Sequence, residues 1–222
     1  MTITVHHLND SRSQRILWLL SELGVEYQVK RYQRDQETML APASLREVHP
    51  LGKSPVITDG ELTLAESGAI VEYLVERYGN GCLAPATGTP ERLRYTYWLH
   101  YAEGSAMPLL VMQLIFNQIE PKTPFFLRPI AKVITGNVKQ TYIKPQIAQH
   151  LNYLEAELAK NTWFVSNEFT AADIQLSFPL EAAAAYGNLD ASHPQLKAFL
   201  ERIHARPAYQ QALEQGGAYS FS

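Results

Sequence analysis

Hydrophobic positions along the chain follow two periods, and the change from one to the other divides it. Ile3 and Val5 alternate with Thr2, Thr4 and His6, the period-two signature of a strand. Asn9-Asp10-Ser11 breaks that alternation, and from Arg12 to Leu23 the apolar residues Ile16, Leu17, Leu19, Leu20 and Leu23 recur at helical spacing, with Gly24 as a stop. Tyr27 and Val29 alternate with Gln28 and Lys30 in a second strand. The polar stretch from Gln33 to His49 has room for a short helix around Ser44 to Val48. Asp59-Gly60 then separates Val56–Thr58 from Glu61–Leu64, a two-residue loop that predicts a hairpin. Pro55 opens the first of these strands because it has no N–H to give to a ladder. Ala65-Glu66-Ser67 leads into Ile70, Val71, Tyr73, Leu74 and Tyr78, a third helix whose N-terminal amides favour an anion.

Residues 79–90 are rich in Gly and Pro and have no period, which places a domain boundary there, between 1–80 and 89–222. From Glu91 onward the pattern is helical, with interruptions near 120–124, 161–169, 187–194 and at Arg206-Pro207. The expected fold is α/β followed by an all-α half. Thr170 with Asp173 three residues later reads as a capping box, with Phe169 stapling onto Ile174; this is a folding signal and not a site. The uncharged run from Gly104 to Ile119 is shorter than the roughly 20 apolar residues of a spanning helix and reads as a buried one. Gly216-Gly217 hinges a tail, Ala218-Tyr219-Ser220-Phe221, that can fold over a cleft.

Composition narrows the function classes. With 222 residues and 46% hydrophobic ones, the chain can build a real core in one or two domains. A net charge of −3 offers no footprint for nucleic acid, and no Lys/Arg cluster suggests an anionic membrane. The N-terminus lacks a basic region followed by an apolar run, so no signal peptide is expected. A lone cysteine, Cys82, excludes an internal disulfide and suits a reducing cytoplasm. His6-His7 does not make a metal site, because neighbours on a strand point to opposite faces and no third ligand is near.

Three motifs in order carry a family resemblance: Leu51-Gly52-Lys53-Ser54-Pro55-Val56, Leu64-Ala65-Glu66-Ser67-Gly68-Ala69-Ile70, and Thr170-Ala171-Ala172-Asp173. The whole chain resembles the glutathione transferases, which implies a thioredoxin-like first domain and an all-helical second one contributing the electrophile pocket. His49-Pro50-Leu51-Gly52, together with Tyr101-Ala102-Glu103-Gly104-Ser105, is similar to a bacterial and fungal branch with a hydroxyl residue at the active site. The resemblance implies glutathione as co-substrate without a metal, a hydrophobic electrophile or a hydroperoxide as acceptor, and a cytoplasmic homodimer acting in detoxification. It makes Pro55 a cis-proline, pairs the Ser54 backbone with the cysteinyl part of glutathione, and sets Lys53 near the glycyl carboxylate. Glu66 and Ser67 fall to the γ-glutamyl end, and Glu103 lies near where an acid of the opposite subunit often completes that end.

Such chemistry needs a group that stabilises a thiolate, because a free thiol with a pKa of about 8.5 is little ionised at neutral pH. Ser11, between the first strand and the first helix, is where the resemblance implies that donor; Asn9 and Ser13 are the alternatives in a shifted register. Ser11-Arg12-Ser13-Gln14 is also a capping box, so the hydroxyl has a purely structural reading as well. Arg15 has a catalytic reading, but on the first turn of a mostly apolar helix the structural one, a paired cation, is favoured. Met107, Met112, Phe116, Phe125 and Phe126 are either wall of an acceptor pocket or core. The turn contains no cysteine, which disfavours reductase chemistry through an enzyme thiol. A glutathione-dependent disulfide or peroxide reductase and a non-catalytic binding module remain the alternatives.

Overall fold

The structure is a computed structural model that describes residues 2–35, 37–217 and 219–221. Four strands, β1 (Ile3–Leu8), β2 (Tyr27–Tyr32), β3 (Val56–Asp59) and β4 (Leu62–Ala65), form one mixed sheet in the order β2-β1-β3-β4. β1 and β2 run parallel, Val5 opposite Val29, because helix α1 (Gln14–Glu22) returns the chain between them. β3 pairs antiparallel with both β1 and β4, and the Asp59-Gly60 turn closes the hairpin with Gly60 at φ +61°. The Asp59 carboxylate accepts hydrogen bonds from Tyr73 (2.8 Å) and Tyr78, which ties the hairpin to α3 (Ser67–Tyr78). A short helix α2 (Ala43–Arg46) occupies the polar stretch after β2.

β1 runs through Leu8 and α1 begins at Gln14 rather than Arg12, because residues 9–13 form a turn. The first seven residues of α1 are all buried. A helix apolar on one stripe only cannot tolerate that; α1 does because the sheet and α3 cover one side while α8 (Ala171–Ala185) and α10 (Pro207–Gly216) cover the other. Trp18 meets the Tyr209 ring edge-on at 5.2 Å, and the Glu22 carboxylate receives the Arg206 guanidinium at 2.5 and 2.8 Å.

No strand follows β4 among the described residues. α4 (Pro90–Tyr101), capped by Thr89, continues through a widened turn at Ala102–Ala106 into α5 (Met107–Lys122). α6 (Arg128–Val138) likewise passes through Lys139–Ile143 into α7 (Lys144–Leu158), and α9 (Pro194–His204) lies between α8 and α10. The helix breaks fall where the pattern loses its period. The run from Gly104 to Ile119, however, is not a buried helix throughout: Met107, Leu109 and Leu110 enter the core, while Val111, Leu114, Ile115 and Ile119 face outward. Absence of charge identified a helix but not how many of its faces are covered.

α8 is the axis of the helical half, buried along nearly its whole length. Its capping box is present: the Thr170 backbone N–H donates to Asp173 Oδ2 at 2.9 Å. Asp173 Oδ1 also accepts the Phe164 N–H at 2.9 Å, so the carboxylate ties down the preceding loop as well. The Phe169 ring lies against Trp163 and Trp18. Asp173→Ala should therefore cost about 3 kcal/mol, more than a simple cap, because it strands two buried N–H donors. Urea unfolding checks this, and an unchanged midpoint would remove the capping role.

Candidate active site

The turn between β1 and α1 is held from three sides. The Asp10 backbone adopts φ +47°, a conformation that Asp tolerates better than most side chains. Asn9 Oδ1 accepts the Arg34 N–H at 2.8 Å, and the Arg34 guanidinium donates to the carbonyls of Asn9, Asp10 and Met39. Asp10 Oδ1 accepts the Ser220 N–H at 2.8 Å, while the Phe221 ring meets Phe178 and Tyr219 donates to Glu181. The tail thus packs beside the cleft, as its hinge suggested; Ala218 lies outside the described residues.

Ser11 heads a buried chain of hydroxyls. Its Oγ is 2.8 Å from Ser13 Oγ, which is 2.9 Å from His7 Nδ1, and it donates to Ser54 Oγ at 3.4 Å. Ser54 in turn donates to the His6 carbonyl at 3.0 Å. Burial, with Arg31 beside it, holds the His7 pKa down to about 4, opposed by a hydrogen bond to the Gly216 backbone. His7 is therefore neutral near pH 7. A carbonyl at Gly216 requires the ring hydrogen on Nε2, which leaves Nδ1 as acceptor for the Ser13 hydroxyl, an assignment made from the network. Ser13 then offers Ser11 only lone pairs, so the Ser11 hydroxyl is the donor of the 2.8 Å bond to Ser13, with Ser54 Oγ as its longer second acceptor.

The capping-box reading of Ser11 does not survive this geometry. The Gln14 N–H bonds to the Ser11 carbonyl, and the hydroxyl accepts only from the Ser13 N–H, at 3.3 Å. Ser13, fully buried, has its hydrogen committed to His7, and Asn9 turns toward Arg34; neither alternative donor lines the cleft at Ser11.

That cleft, about 300 Å³, is lined by Ser11, Lys53 and Ser54, with Arg12, Arg34 and Phe178 around them. A smaller lobe of about 70 Å³ shares Arg12, Lys53 and Ser54 and adds Glu66, Ser67 and Glu103. All five residues singled out from the sequence, Ser11, Lys53, Ser54, Glu66 and Ser67, therefore border one two-lobed cleft. The Ser54–Pro55 bond is cis. Glu66 caps α3 from φ +72°, a left-handed backbone uncommon outside glycine, and Ser67 is the first helical residue. The first helical bond runs from the Ile70 N–H to the Glu66 carbonyl, so the amides before it have no partner within the helix, and Ser67 brings this end of α3 to the lobe. Glu103 is held within its own chain, by Arg12 at 3.0 Å and by the buried Arg15, which also donates to the Gln175 carbonyl.

Comparison with known proteins follows the same two-part plan. Residues 1–76 match the family profile of the glutathione S-transferase N-terminal domain, and residues 119–207 that of the C-terminal domain. The chain belongs to the glutathione S-transferase family. It is 35% identical to glutathione S-transferase 3 of Schizosaccharomyces pombe, over 96% of this chain and 87% of that one. It is 30% identical to a disulfide-bond oxidoreductase of Escherichia coli, over 90% of this chain and 88% of that one. A crystal structure of a glutathione S-transferase from Actinobacillus pleuropneumoniae superimposes with a TM-score of 0.80 at 33% identity, covering 99% of this chain and 94% of that one.

As a glutathione S-transferase, the chain has the thioredoxin-like sheet followed by helices that the motifs implied. No group of His, Cys, Asp and Glu suited to a metal occurs among the described residues, and none of the described helices is long and apolar enough to cross a membrane. Met107 lies in the core, with Met112 and Phe116 packed on it, whereas Phe125 and Phe126 are exposed away from the cleft; Phe178 is the aromatic wall near Ser11. Sequence reasoning missed Phe178, Arg34 and the part of His7. The last carries a signal in the sequence, a polar residue at an otherwise apolar strand position, since Ile3, Val5 and His7 alternate along β1. His7 binds no proton in the folded state until about pH 4, while an unfolded histidine does so near 6.5. Its stabilising contribution is therefore whole at neutral pH and lost as pH falls from 6.5 toward 4, by about 3 kcal/mol. Urea unfolding at stepped pH should show this loss in the parent protein and not in His7→Asn.

Proposed function

We propose that this glutathione transferase holds the glutathione sulfur at Ser11 as a thiolate, and that the carrying observation is the Ser11 hydroxyl in the cleft, whose hydrogen goes only to the neutral hydroxyls of Ser13 and Ser54 and can be redirected to a charged acceptor. Lys53 meets the glycyl carboxylate, the Ser54 backbone pairs with the cysteinyl unit, and Ser67 with the α3 amides holds the γ-glutamyl carboxylate. Glu66 and Glu103 serve its ammonium. Residues 1–80 form the glutathione-holding domain, and residues 89–222 supply the acceptor side, with Phe178 next to Ser11. The Ser11 hydroxyl fits the serine-type branch.

On binding, the thiol proton leaves for water. His7 does not take it, because moving a proton from a group of pKa about 8.5 to one near 4 is uphill by about 6 kcal/mol. The role of His7 is to hold the Ser13 hydrogen, so that Ser11 keeps the donor role and turns its own hydrogen from Ser13 to the thiolate on binding. One charge-assisted hydrogen bond of about 2 kcal/mol lowers a thiol pKa by between one and two units. The thiolate then attacks the electrophilic carbon, the C–S bond forms, and the leaving group departs with the electron pair.

A second reading is supported by the oxidoreductase relative and the cysteine-free turn. The bound thiolate attacks a disulfide or peroxide directly, and a second glutathione completes the reduction. The exposed apolar residues of α4 and α5, among them Leu93, Tyr97, Leu114 and Ile115, support a homodimer through that face, and the lone exposed Cys82 suits the cytoplasm.

Ser11→Ala should retain glutathione-matrix binding, raise the pKa of the bound thiol by more than one unit and reduce kcat/KM by roughly 30-fold. Ultraviolet titration of the thiolate and assays with a chloronitrobenzene, a hydroperoxide and a mixed disulfide check this and rank the two readings. Unchanged turnover in Ser11→Ala would overturn the assignment, and a glutathione-binding protein inactive on all three would be a binding module.

A further inference from the structure

Helix α6 wears its amphipathic pattern inside out. Its one fully buried side chain is Thr135, which returns its hydroxyl to the Ala131 carbonyl at 2.8 Å. Ile130, Val133 and Ile134, spaced i, i+3 and i+4 on one face, are turned to solvent, Val133 with 72% of its surface exposed. Immediately before the helix, Phe125 and Phe126 project from the α5–α6 corner at 79% and 66% exposure, their rings edge to face. Scattered exposed apolar residues are normal in a soluble protein, but five large ones on one corner and one helix face mark a surface that something covers.

The charge around this face identifies the occupant. Residues 121–154 carry Lys122, Arg128, Lys132, Lys139 and Lys144 and no Asp or Glu. The rest of the chain carries 14 basic against 22 acidic residues, so the net −3 averages over a strongly basic segment on an acidic body. Within α6, Arg128 and Lys132 stand one turn apart on the side opposite Ile130. Arg128 donates to the carbonyls of Thr123 and Pro121, which fixes the corner that presents the two phenylalanines. A second copy docking through this same face would set apolar side chains against apolar ones and leave Arg128 and Lys132, on the opposite side of the helix, unused. A helix with aromatic and branched residues on one side and Lys/Arg on the other instead matches an anionic lipid interface in both respects.

We propose that the α5–α6 corner and the outer face of α6 form a peripheral docking surface for an anionic bilayer, with Phe125, Phe126 and Ile130 entering the headgroup boundary and the lysines lying against lipid phosphates. The proposal departs from the expectation, drawn from whole-chain charge, that membranes are not a partner. The surface lies on, and does not cross, the membrane.

Co-sedimentation of the full-length protein with vesicles of phosphatidylglycerol and phosphatidylcholine tests it. The protein should pellet with the mixed vesicles, at least about tenfold less with phosphatidylcholine alone, and be released by molar salt. Phe125→Ser with Phe126→Ser, and separately Lys132→Glu, should each weaken binding severalfold or more while leaving conjugation unchanged, since none of these residues borders the cleft. Phe126→Trp gives an independent readout: its emission should shift to the blue when anionic vesicles are added. No pelleting with anionic vesicles, or pelleting indifferent to the phenylalanine pair, overturns the proposal. So does a double variant that turns from dimer to monomer in sedimentation velocity while the parent protein ignores vesicles, because a second copy is then the occupant.

Discussion

Helix α1 has no solvent-facing side over its first two turns, and the rest of the structure depends on how it is enclosed. Ile16, Leu17, Trp18, Leu19 and Leu20 are all fully buried, in contact with the sheet and α3 on one side and with α8 and α10 on the other. One helix thereby serves as shared core for both halves of the chain. Enclosure also forces Arg15 into the interior, where an unpaired guanidinium is prohibitively costly; it bonds Glu103 at the α4–α5 junction and the Gln175 carbonyl in α8. The residues just before α1 inherit this fixed position, and they are the ones that form the turn around Ser11.

The cleft is built where that turn faces the cis-proline corner. The two contributions differ in kind. From β1 and α1 comes a set of hydroxyls with assigned hydrogens, anchored on a histidine that burial keeps neutral. From the β3 and β4 side comes the first turn of α3, with unbonded amides and a capping residue in a left-handed backbone. Ser54 joins them, accepting from Ser11 and donating to the His6 carbonyl. An anion bound at the α3 amides and a thiolate bound at Ser11 can then belong to one extended ligand, consistent with the family to which the chain belongs.

Much of this was legible because it is local. The Asp-Gly hairpin, the strand alternation, the helix breaks at 120–124 and 187–194 and the capping box at Thr170 depend on residues a few positions apart, and the structure has each of them. That Ser11, Lys53, Ser54, Glu66 and Ser67 share one cleft was legible through short motifs, since a helix start and a proline corner carry their own geometry. Legibility failed where a side chain had several partners to choose among. Ser11 satisfied the spacing of a capping box, yet its hydroxyl turned to Ser13 and Ser54. The run from Gly104 to Ile119 was helical as its composition required, but which face is covered depended on how α5 meets α6, α7 and α8. Whole-chain charge concealed the basic segment after Pro121 because the acids that cancel it lie elsewhere in the chain.

By itself, then, the sequence determined the order and type of elements, the division into a strand-bearing half and a helical half, and the five residues that border the cleft. Backbone preference and periodicity act over a few residues, and those features need nothing longer in range. Only the tertiary structure decided that Ser13 gives its hydrogen to His7 and leaves Ser11 as a donor, that His7 is a neutral anchor, and that Glu103 pairs within its own chain. Those outcomes follow from hydrogen-bond choice and desolvation among groups brought together from distant positions: His7 from Gly216, Arg15 from Gln175, and Ser11 from Ser54. A hydroxyl or an imidazole has more than one possible partner, and burial by the surrounding elements selects one.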